Sequence, residues 1–206
     1  MLNPEEIRFS CTRCGNCCTD KDTLVNITYF DIVRIKRGLK LDLNETLDVV
    51  GFYVFEKKPT HDVFEKMVII PIETERGLAF LALLKRSSGE CCFYDRNKAK
   101  CLIYNIRPMF CRTFPFSFIV NNHRTDKIDQ NIKIIYTQKA KDYCPGINSD
   151  SPKIDFEYWF EIGRQTLQEL EKNLVFTENW NKKVRNRQLT PNAKNYIRMV
   201  LNTEEK

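Results

Sequence analysis

The feature that most constrains this chain is the clustering of its nine cysteines, eight of which fall in two compact arrays. The first array is Cys11-x2-Cys14-x2-Cys17-Cys18, and the second is Cys91-Cys92-x8-Cys101-x9-Cys111, with Cys144 alone 33 residues further on. Thiolates are the soft ligands that zinc and iron–sulfur clusters prefer. Because thiols this dense are seldom needed for core packing, the sequence predicts a metal centre held by sulfur.

Length and composition are those of one globular domain, or of one domain with a helical appendage. The chain has 206 residues, of which 42% are hydrophobic and 29% charged, values that are normal for a globular protein. It contains no run of about 18 apolar residues, so no membrane span is predicted. Residues 1–6 lack the basic and apolar regions of a secretory signal. We therefore expect a cytoplasmic protein with reduced thiols, and the odd cysteine count also argues against a disulfide scaffold.

The net charge of +6 gives little support to nucleic-acid binding, because Lys and Arg are spread among acidic residues along the whole chain. A four-thiolate site that holds Zn²⁺ or a [4Fe–4S] core carries a charge of about −2. Two such sites would lower the net charge from +6 to about +2. We expect the basic residues that flank the cysteines to offset part of this charge: Arg13, Arg96, Lys98, Lys100, Arg107 and Arg112.

The hydrophobic pattern predicts an α+β fold. Residues 1–150 are predicted to form a small, irregular, metal-stabilised domain of short helices and β-hairpins, and residues 151–206 a C-terminal helical extension packed on it. The first cysteine array is expected on a loop. One helix is predicted from Thr28, as N-cap, to Gly38, and another from Asn44 to Val50, closing at Gly51.

Short β-branched and aromatic runs between turn residues predict strands over Phe52–Glu56, Lys66–Ile72 and Leu78–Leu84. Two hairpins are also predicted, and the first would bring Cys91 or Cys92 near Cys101. These hairpins pair Cys92–Tyr94 with Cys101–Ile103, and Phe116–Val120 with Ile132–Tyr136 across the polar residues 121–129. In the C-terminal part, three helix starts are predicted, at Ser151–Pro152, Thr177 and Thr190–Pro191.

The cysteine spacing favours an iron–sulfur cluster over zinc. Zinc sites are usually built from two pairs of ligands that bring four sulfurs to within about 2.3 Å of one ion. Cys11, Cys14 and Cys17 instead match the run that wraps one side of a [4Fe–4S] cube and leaves the fourth ligand to a remote cysteine. Zinc remains the alternative metal.

The chain resembles the bacterial and archaeal cysteine-cluster proteins of the YkgJ type, whose common domain is described as zinc- or iron-chelating. The resemblance covers about residues 9–147 and rests on three segments: Phe9-Ser-Cys11-x2-Cys14-Gly-x-Cys17-Cys18; Cys91-x-Phe-Tyr; and Cys101-x-Ile-Tyr-x2-Arg107-Pro-x2-Cys111-Arg112-x-Phe-Pro-Phe, followed by Cys144-Pro-Gly.

This resemblance implies that Cys91 is a ligand and that Cys92 is an extra thiol. Eight ligands then remain, enough for two four-thiolate sites: Cys11, Cys14, Cys17, Cys18, Cys91, Cys101, Cys111 and Cys144. The sequence does not divide these eight between two sites. Arg107 and Arg112 are predicted to donate hydrogen bonds or positive charge to the thiolate sulfurs, with ordinary surface ion pairs as the alternative.

The favoured function is a metal-binding protein with one or two cysteine-ligated centres, of the [4Fe–4S] type, in a redox, cluster-carrier or complex-support role with a protein or redox partner. An enzyme is one alternative, because a related cysteine cluster occurs in flagellin lysine N-methylases. A zinc-stabilised adaptor is another. The sequence contains no glycine-rich nucleotide-binding loop. His61 and His123 have no motif around them, and no nucleophile has a recognisable base partner, so no catalytic residue is predicted.

Overall fold

The computed structural model describes residues 6–57, 59–62, 67–120 and 132–203. Lys66, His123 and the polar connection 121–129 lie outside these residues. The helices include α1 Asn16–Thr19, α2 Tyr29–Leu39, α3 Leu43–Leu47, α4 Met109–Thr113, α5 Gln138–Tyr143, α6 Phe156–Arg185 and α7 Ala193–Leu201. The strands are β1 Val50–Val54, β2 Ile72–Thr74, β3 Gly77–Leu83, β4 Tyr94–Asp95, β5 Lys100–Cys101, β6 Phe116–Val120 and β7 Ile132–Tyr136 among the described residues. The predicted α+β class is confirmed.

Three small antiparallel sheets form the β part of the fold. In the largest, β3 lies between β1 and β2, with Phe52 opposite Leu81 and Ile72 opposite Ala79. The strand predicted over 78–84 is confirmed within one residue, while β1 begins two residues before the predicted start at Phe52. The strand predicted over 66–72 is wrong, because residues 67–71 form no strand and backbone pairing with β3 starts only at Ile72. Pro71 explains this, because it has no N–H to donate.

Helix α2 begins where the sequence predicts but ends later. Thr28 and Asp31 form a reciprocal capping box, which confirms Thr28 as the N-cap. Gly38 was expected to end the helix, yet the helix runs through Leu39 and ends with Lys40 in the left-handed region at φ 57°. Gly38 serves packing instead, because a Cβ there would collide with the side chain of Ile106, close to the second cysteine array.

The second predicted helix is shorter and lies earlier than expected. Asp42 caps α3, and its carboxylate accepts hydrogen bonds from the N–H groups of Asn44 and Glu45. The helix ends at Leu47, and Val50 and Gly51 belong to β1 rather than to a helix end. Val50 is buried in the core, and this burial favours the extended conformation of a β-branched residue.

The C-terminal part has two helices where three were predicted. Helix α6 is capped by Asp155 rather than by Ser151, and it continues through Thr177, which is buried. Helix α7 is capped by Asn192, whose side chain accepts a hydrogen bond from the N–H of Asn195, while the carbonyl of Pro191 is bound by the N–H of Glu75 in the β2–β3 turn. The structure therefore corrects all three predicted helix starts.

The main hydrophobic core lies between α2, the three-stranded sheet, α6 and α7. Trp180 of α6 and Tyr196 of α7 are almost fully buried there and meet edge to face, with ring centroids 5.1 Å apart. The indole N–H of Trp180 donates to the carbonyl of Glu73 at 2.9 Å, which fixes α6 to β2. A smaller core contains Ile7, Phe116 and Ile134. The division of the chain at residue 150 stays a prediction.

The hairpin of β6 and β7 forms as predicted, with Phe116 opposite Tyr136 and Phe118 opposite Ile134. Trp159 of α6 packs on this hairpin, 4.6 Å from the ring of Phe116. Within the described ranges, no helix has both the length and the apolar character needed to cross a membrane.

Candidate metal centre

The first cysteine array occupies a tight loop that ends in one helical turn. Cys11 and Cys14 lie on the loop, while Cys17 and Cys18 lie on α1, so the prediction that the whole array is a loop is corrected. Gly15 makes the turn possible with φ +82°, and its carbonyl accepts hydrogen bonds from the N–H groups of Cys18 and Thr19. A side chain at Gly15 would collide with the ring of Tyr94, so the loop lies directly on the second array.

The second array meets the first through the backbone. The N–H of Cys91 donates to the carbonyl of Cys18 at 2.9 Å. Strands β4 and β5 pair Tyr94 with Cys101, which confirms the predicted hairpin in a shorter form. Together these contacts bring Cys91 and Cys101 to the wall of one cavity.

That cavity has a volume of about 670 Å³ and is lined by six cysteines: Cys11, Cys17, Cys18, Cys91, Cys101 and Cys111. Apolar side chains, including Val25, Leu83 and Ile103, form part of its wall. Three basic residues, Arg13, Lys100 and Arg107, also line it. Its volume lies in the range of about 300–1,000 Å³ that is common for sites that hold a ligand.

Cys144 and Cys14 lie outside the cavity lining but next to the loop that bears the first array. The N–H of Ser10 donates to the carbonyl of Gly146 at 3.1 Å, and a Cβ at Gly146 would collide with the Ser10 carbonyl. The side-chain amide of Asn16 donates to the carbonyl of Tyr143 at 3.0 Å. Burial raises the pKa of Cys144. These contacts join the turn at residues 144–146 to both ends of the loop.

Cys92, the thiol set aside in the sequence analysis, faces a different environment from Cys91. It packs against the main core and does not line the cavity. Its N–H donates to the carbonyl of Leu84, and its carbonyl accepts a hydrogen bond from Arg86 at 2.8 Å. Its exclusion from the ligand set stays a prediction.

Hydrogen bonds between thiols decide which of the cysteines in the cavity ionise most easily. The proximity of the Cys18 thiol lowers the pKa of Cys17 to about 7 and that of Cys101 to about 6. The Cys92 thiol likewise lowers the pKa of Cys91, while its own pKa and that of Cys18 are raised by the same contacts. Because the thiolate is the form that binds metal, the cavity favours the ligand form of three cysteines.

Of the two arginines predicted to support the thiolates, Arg107 lies at the cavity and Arg112 faces away. The Arg107 guanidinium stacks 3.8 Å from the ring centroid of Tyr104, and its positive charge also lowers the pKa of Cys17 and Cys101. Arg112 lies 3.5 Å from Glu169 of α6 and does not line the cavity. Arg13 joins Arg107 over the ring of Tyr104, at 4.6 Å.

Asp31, which was not among the predicted site residues, binds the start of α4, the helix that bears Cys111. The Asp31 carboxylate is fully buried and accepts hydrogen bonds from the N–H of Thr28 at 3.0 Å and the N–H of Met109 at 2.8 Å. Arg34 forms an ion pair with it. Desolvation raises the pKa of both Asp31 and Cys111. The sequence signal for Asp31 was its place in the capping box with Thr28, which does not reveal the bond to Met109.

Across the described ranges, no group of three or more Cys, His, Asp or Glu side chains is arranged to hold a single metal ion. The thiols surround a volume rather than converge on one point. Thiolates, positive charges and apolar wall residues fit an anionic group bound through sulfur.

An α+β fold with cysteines around one cavity defines a cysteine-cluster protein suited to metal binding. The chain belongs to the CxxCxxCC family, described as a "Putative zinc- or iron-chelating domain", which it matches over residues 10–145. This confirms the family resemblance. The chain is 27% identical over 154 residues to an uncharacterised protein of Methanocaldococcus jannaschii, in an alignment that covers 74% of this chain and 65% of that protein. No solved structure matches the chain.

Proposed function

We propose that this chain holds iron–sulfur clusters of the [4Fe–4S] type on its cysteine thiolates. Its role is electron transfer, cluster carriage or support of a complex with a protein partner. The observation that carries this proposal is the cavity of about 670 Å³ with six cysteines in its wall. A single zinc ion needs four sulfurs about 2.3 Å from one point, which leaves no space of this size between them. A polynuclear cluster, whose iron atoms are held by separate thiolates, suits cysteines that are spread around a larger space.

The charges around the cavity suit the same group. A [4Fe–4S] core with four thiolates carries a charge of about −2, and Arg13, Lys100 and Arg107 bring three positive charges to the wall. Burying an anion without such partners would be costly. Because a four-thiolate zinc site has the same charge, these cations support a sulfur-bound metal, and the volume favours the cluster.

Residues of the chain have distinct tasks at this centre. Arg107 is held by a hydrogen bond from its Nε to the carbonyl of Tyr104 at 2.9 Å, so its charge stays beside Cys17 and Cys101. Apolar wall residues limit access of water, and both effects tune the potential of a bound cluster. When bound, the cluster supplies the ability to accept and donate one electron at a time.

The test is anaerobic purification followed by analysis of iron, acid-labile sulfide and zinc, with a visible absorption spectrum. We expect iron and sulfide in nearly equal amounts and a brown protein. A colourless protein with stoichiometric zinc and no sulfide would overturn the proposal in favour of a zinc-stabilised adaptor.

A pair of adjacent variants tests the ligand assignment. Cys91→Ser should lower the metal content because Cys91 lines the cavity, whereas Cys92→Ser should leave it unchanged because Cys92 does not line the cavity. Equal losses in the two variants would show that the assignment of ligands in the second array is wrong.

A further inference from the structure

We propose that the eight cysteines form two four-thiolate sites, an outer site exposed to solvent and an inner site enclosed by the hairpin. The outer site consists of Cys11, Cys14, Cys17 and Cys144. The inner site consists of Cys18, Cys91, Cys101 and Cys111. This inference rests on the proposed binding of metal by the thiolates, but it does not depend on whether the metal is iron or zinc.

The position of Cys144 defines the outer site. Its turn is bound to the loop of the first array by the 3.1 Å hydrogen bond from Ser10 to Gly146 and by the 3.0 Å bond from Asn16 to Tyr143. Ser10 and Asn16 lie on either side of Cys11 and Cys14 in the chain, so these two bonds place Cys144 beside the cysteines that are spaced at two-residue intervals.

The sequence around these four cysteines suits one centre. Bacterial ferredoxins complete a C-x2-C-x2-C run with a remote cysteine that precedes proline. Here the run is Cys11, Cys14 and Cys17, and the remote cysteine is followed by Pro145. The structure supplies what the spacing alone did not, because it places this remote cysteine beside the run.

Cys18 turns toward the other set. Its carbonyl accepts the N–H of Cys91 at 2.9 Å, and Cys18 lines the same cavity as Cys91 and Cys101. Cys111, on α4, lines this cavity as well. Neighbouring residues on a helix point about 100° apart, so Cys17 and Cys18 on α1 can serve different centres although their sulfurs are 4.0 Å apart.

Exposure separates the two sets as well. Three cysteines of the outer site, Cys11, Cys14 and Cys17, are exposed, whereas Cys144 and all four cysteines of the inner site are partly buried. The outer centre is therefore the one that a partner protein or a chelator reaches first. The inner centre lies against the main core, with which Cys91 and Cys101 are packed, and is the more protected of the two.

The first experiment measures metal content per chain in single and double variants. Cys144→Ser and Cys111→Ser should each remove about half of the bound metal. The double variant Cys14→Ser/Cys144→Ser, within the outer site, should lose no more than Cys144→Ser alone. The cross-site variant Cys144→Ser/Cys111→Ser should lose nearly all of it. Cys92→Ser is the matched control and should retain full content.

A cross-site double variant that loses no more metal than either single variant would overturn the division, since it would indicate one shared centre. Cys17→Ser should lose half of the metal, and adding Cys144→Ser should cause no further loss. If Cys17→Ser/Cys144→Ser instead loses nearly all of the metal, Cys17 belongs to the inner site and the proposed division is wrong. If the metal is zinc and the losses still divide as expected, the division stands and the iron–sulfur proposal alone fails.

The second experiment uses the unmodified protein and so does not depend on whether variants fold. Metal release to a colorimetric chelator, bipyridyl for reduced iron or 4-(2-pyridylazo)resorcinol for zinc, should show a fast and a slow phase of nearly equal amplitude. Cys144→Ser should lack the fast phase, and Cys111→Ser the slow phase. Release of all the metal in one phase would overturn the division into an exposed and a protected centre.

Discussion

The main core and the cysteine loop are held in place by different interactions. In the core, apolar side chains from α2, the central sheet, α6 and α7 are buried together around Trp180 and Tyr196. None of residues 10–20, all of which the structure describes, is a buried apolar residue. That loop is fixed by backbone hydrogen bonds and by the close contact of Gly15 with Tyr94. The difference indicates that the core folds by hydrophobic burial and the loop by metal binding.

Removing the metal should produce the largest effect, and it should be confined to one region. Metal–thiolate binding contributes on the order of 10 kcal/mol to the folding of small zinc domains, and residues 10–20 include no buried apolar side chain that could replace it. We expect amide exchange at residues 11–18 and 91–101 to accelerate by several orders of magnitude, while amides of α6 and α7 keep their protection. Equal loss of protection in both regions, or no loss of protection at residues 11–18, would contradict the comparison.

Truncating a core side chain should lower the free energy of unfolding and leave the metal content unchanged. Trp180→Ala removes a side chain that is 1% exposed and its hydrogen bond to Glu73, and should cost about 3–5 kcal/mol in the free energy of unfolding. The half-buried Trp159, changed to Ala, is the matched control and should cost less. Metal content per folded chain should be unaffected by either change. A selective loss of metal in Trp180→Ala would show that the two regions are not independent.

Asp31 connects the two regions, so its substitution tests how far they are separate. Asp31→Asn weakens the bonds to Thr28 and Met109 and removes the ion pair with Arg34. Hydrogen bonds to a charged group contribute about 1.5–3 kcal/mol, so we expect a loss of about 2 kcal/mol and weaker metal retention by the centre that contains Cys111. Asp42→Asn, at an exposed cap where Asn serves equally well, should have almost no effect. Equal stability of both variants would contradict the role of Asp31.

The sequence predicted correctly those helices and strands whose positions depend on residues close to them in the chain. The strand-like runs 116–120 and 132–136, separated by a polar stretch, predicted the β6–β7 hairpin, and Thr28 predicted the start of α2. Gly38 and Thr177 were misjudged because tertiary contacts decide their environments: Ile106 packs against the first, and the second is buried against α7.

The site shows the same division between local and distant causes. Cysteine spacing identified the candidate ligands, but the cavity depends on contacts between residues far apart in sequence. The bond between Asp31 and Met109 spans 78 positions, and the bond between Cys18 and Cys91 spans 73. No local pattern predicts either bond, because each depends on how separate elements pack together.

The smallest effect is expected at the ion pair between Asp20, at the end of the loop, and Lys139 of α5, which are 2.5 Å apart. Desolvation acts to raise the pKa of Asp20, but hydrogen bonds from Lys139 and Thr23 outweigh it and lower the pKa to about 2. Because the folded-state pKa lies below the unfolded value of about 3.9, the stabilisation is present above pH ~4 and is lost as the pH falls toward ~2.

Asp20→Asn should cost about 0.5–1 kcal/mol at neutral pH. It should also reduce the fall in stability of the metal-free protein between pH ~4 and ~2, measured by denaturant unfolding. The exposed Asp142 of the same helix, changed to Asn, is the control. An identical acid dependence in Asp20→Asn and the unmodified chain would show that this ion pair does not hold the loop, which would leave metal binding and the backbone contacts to position it.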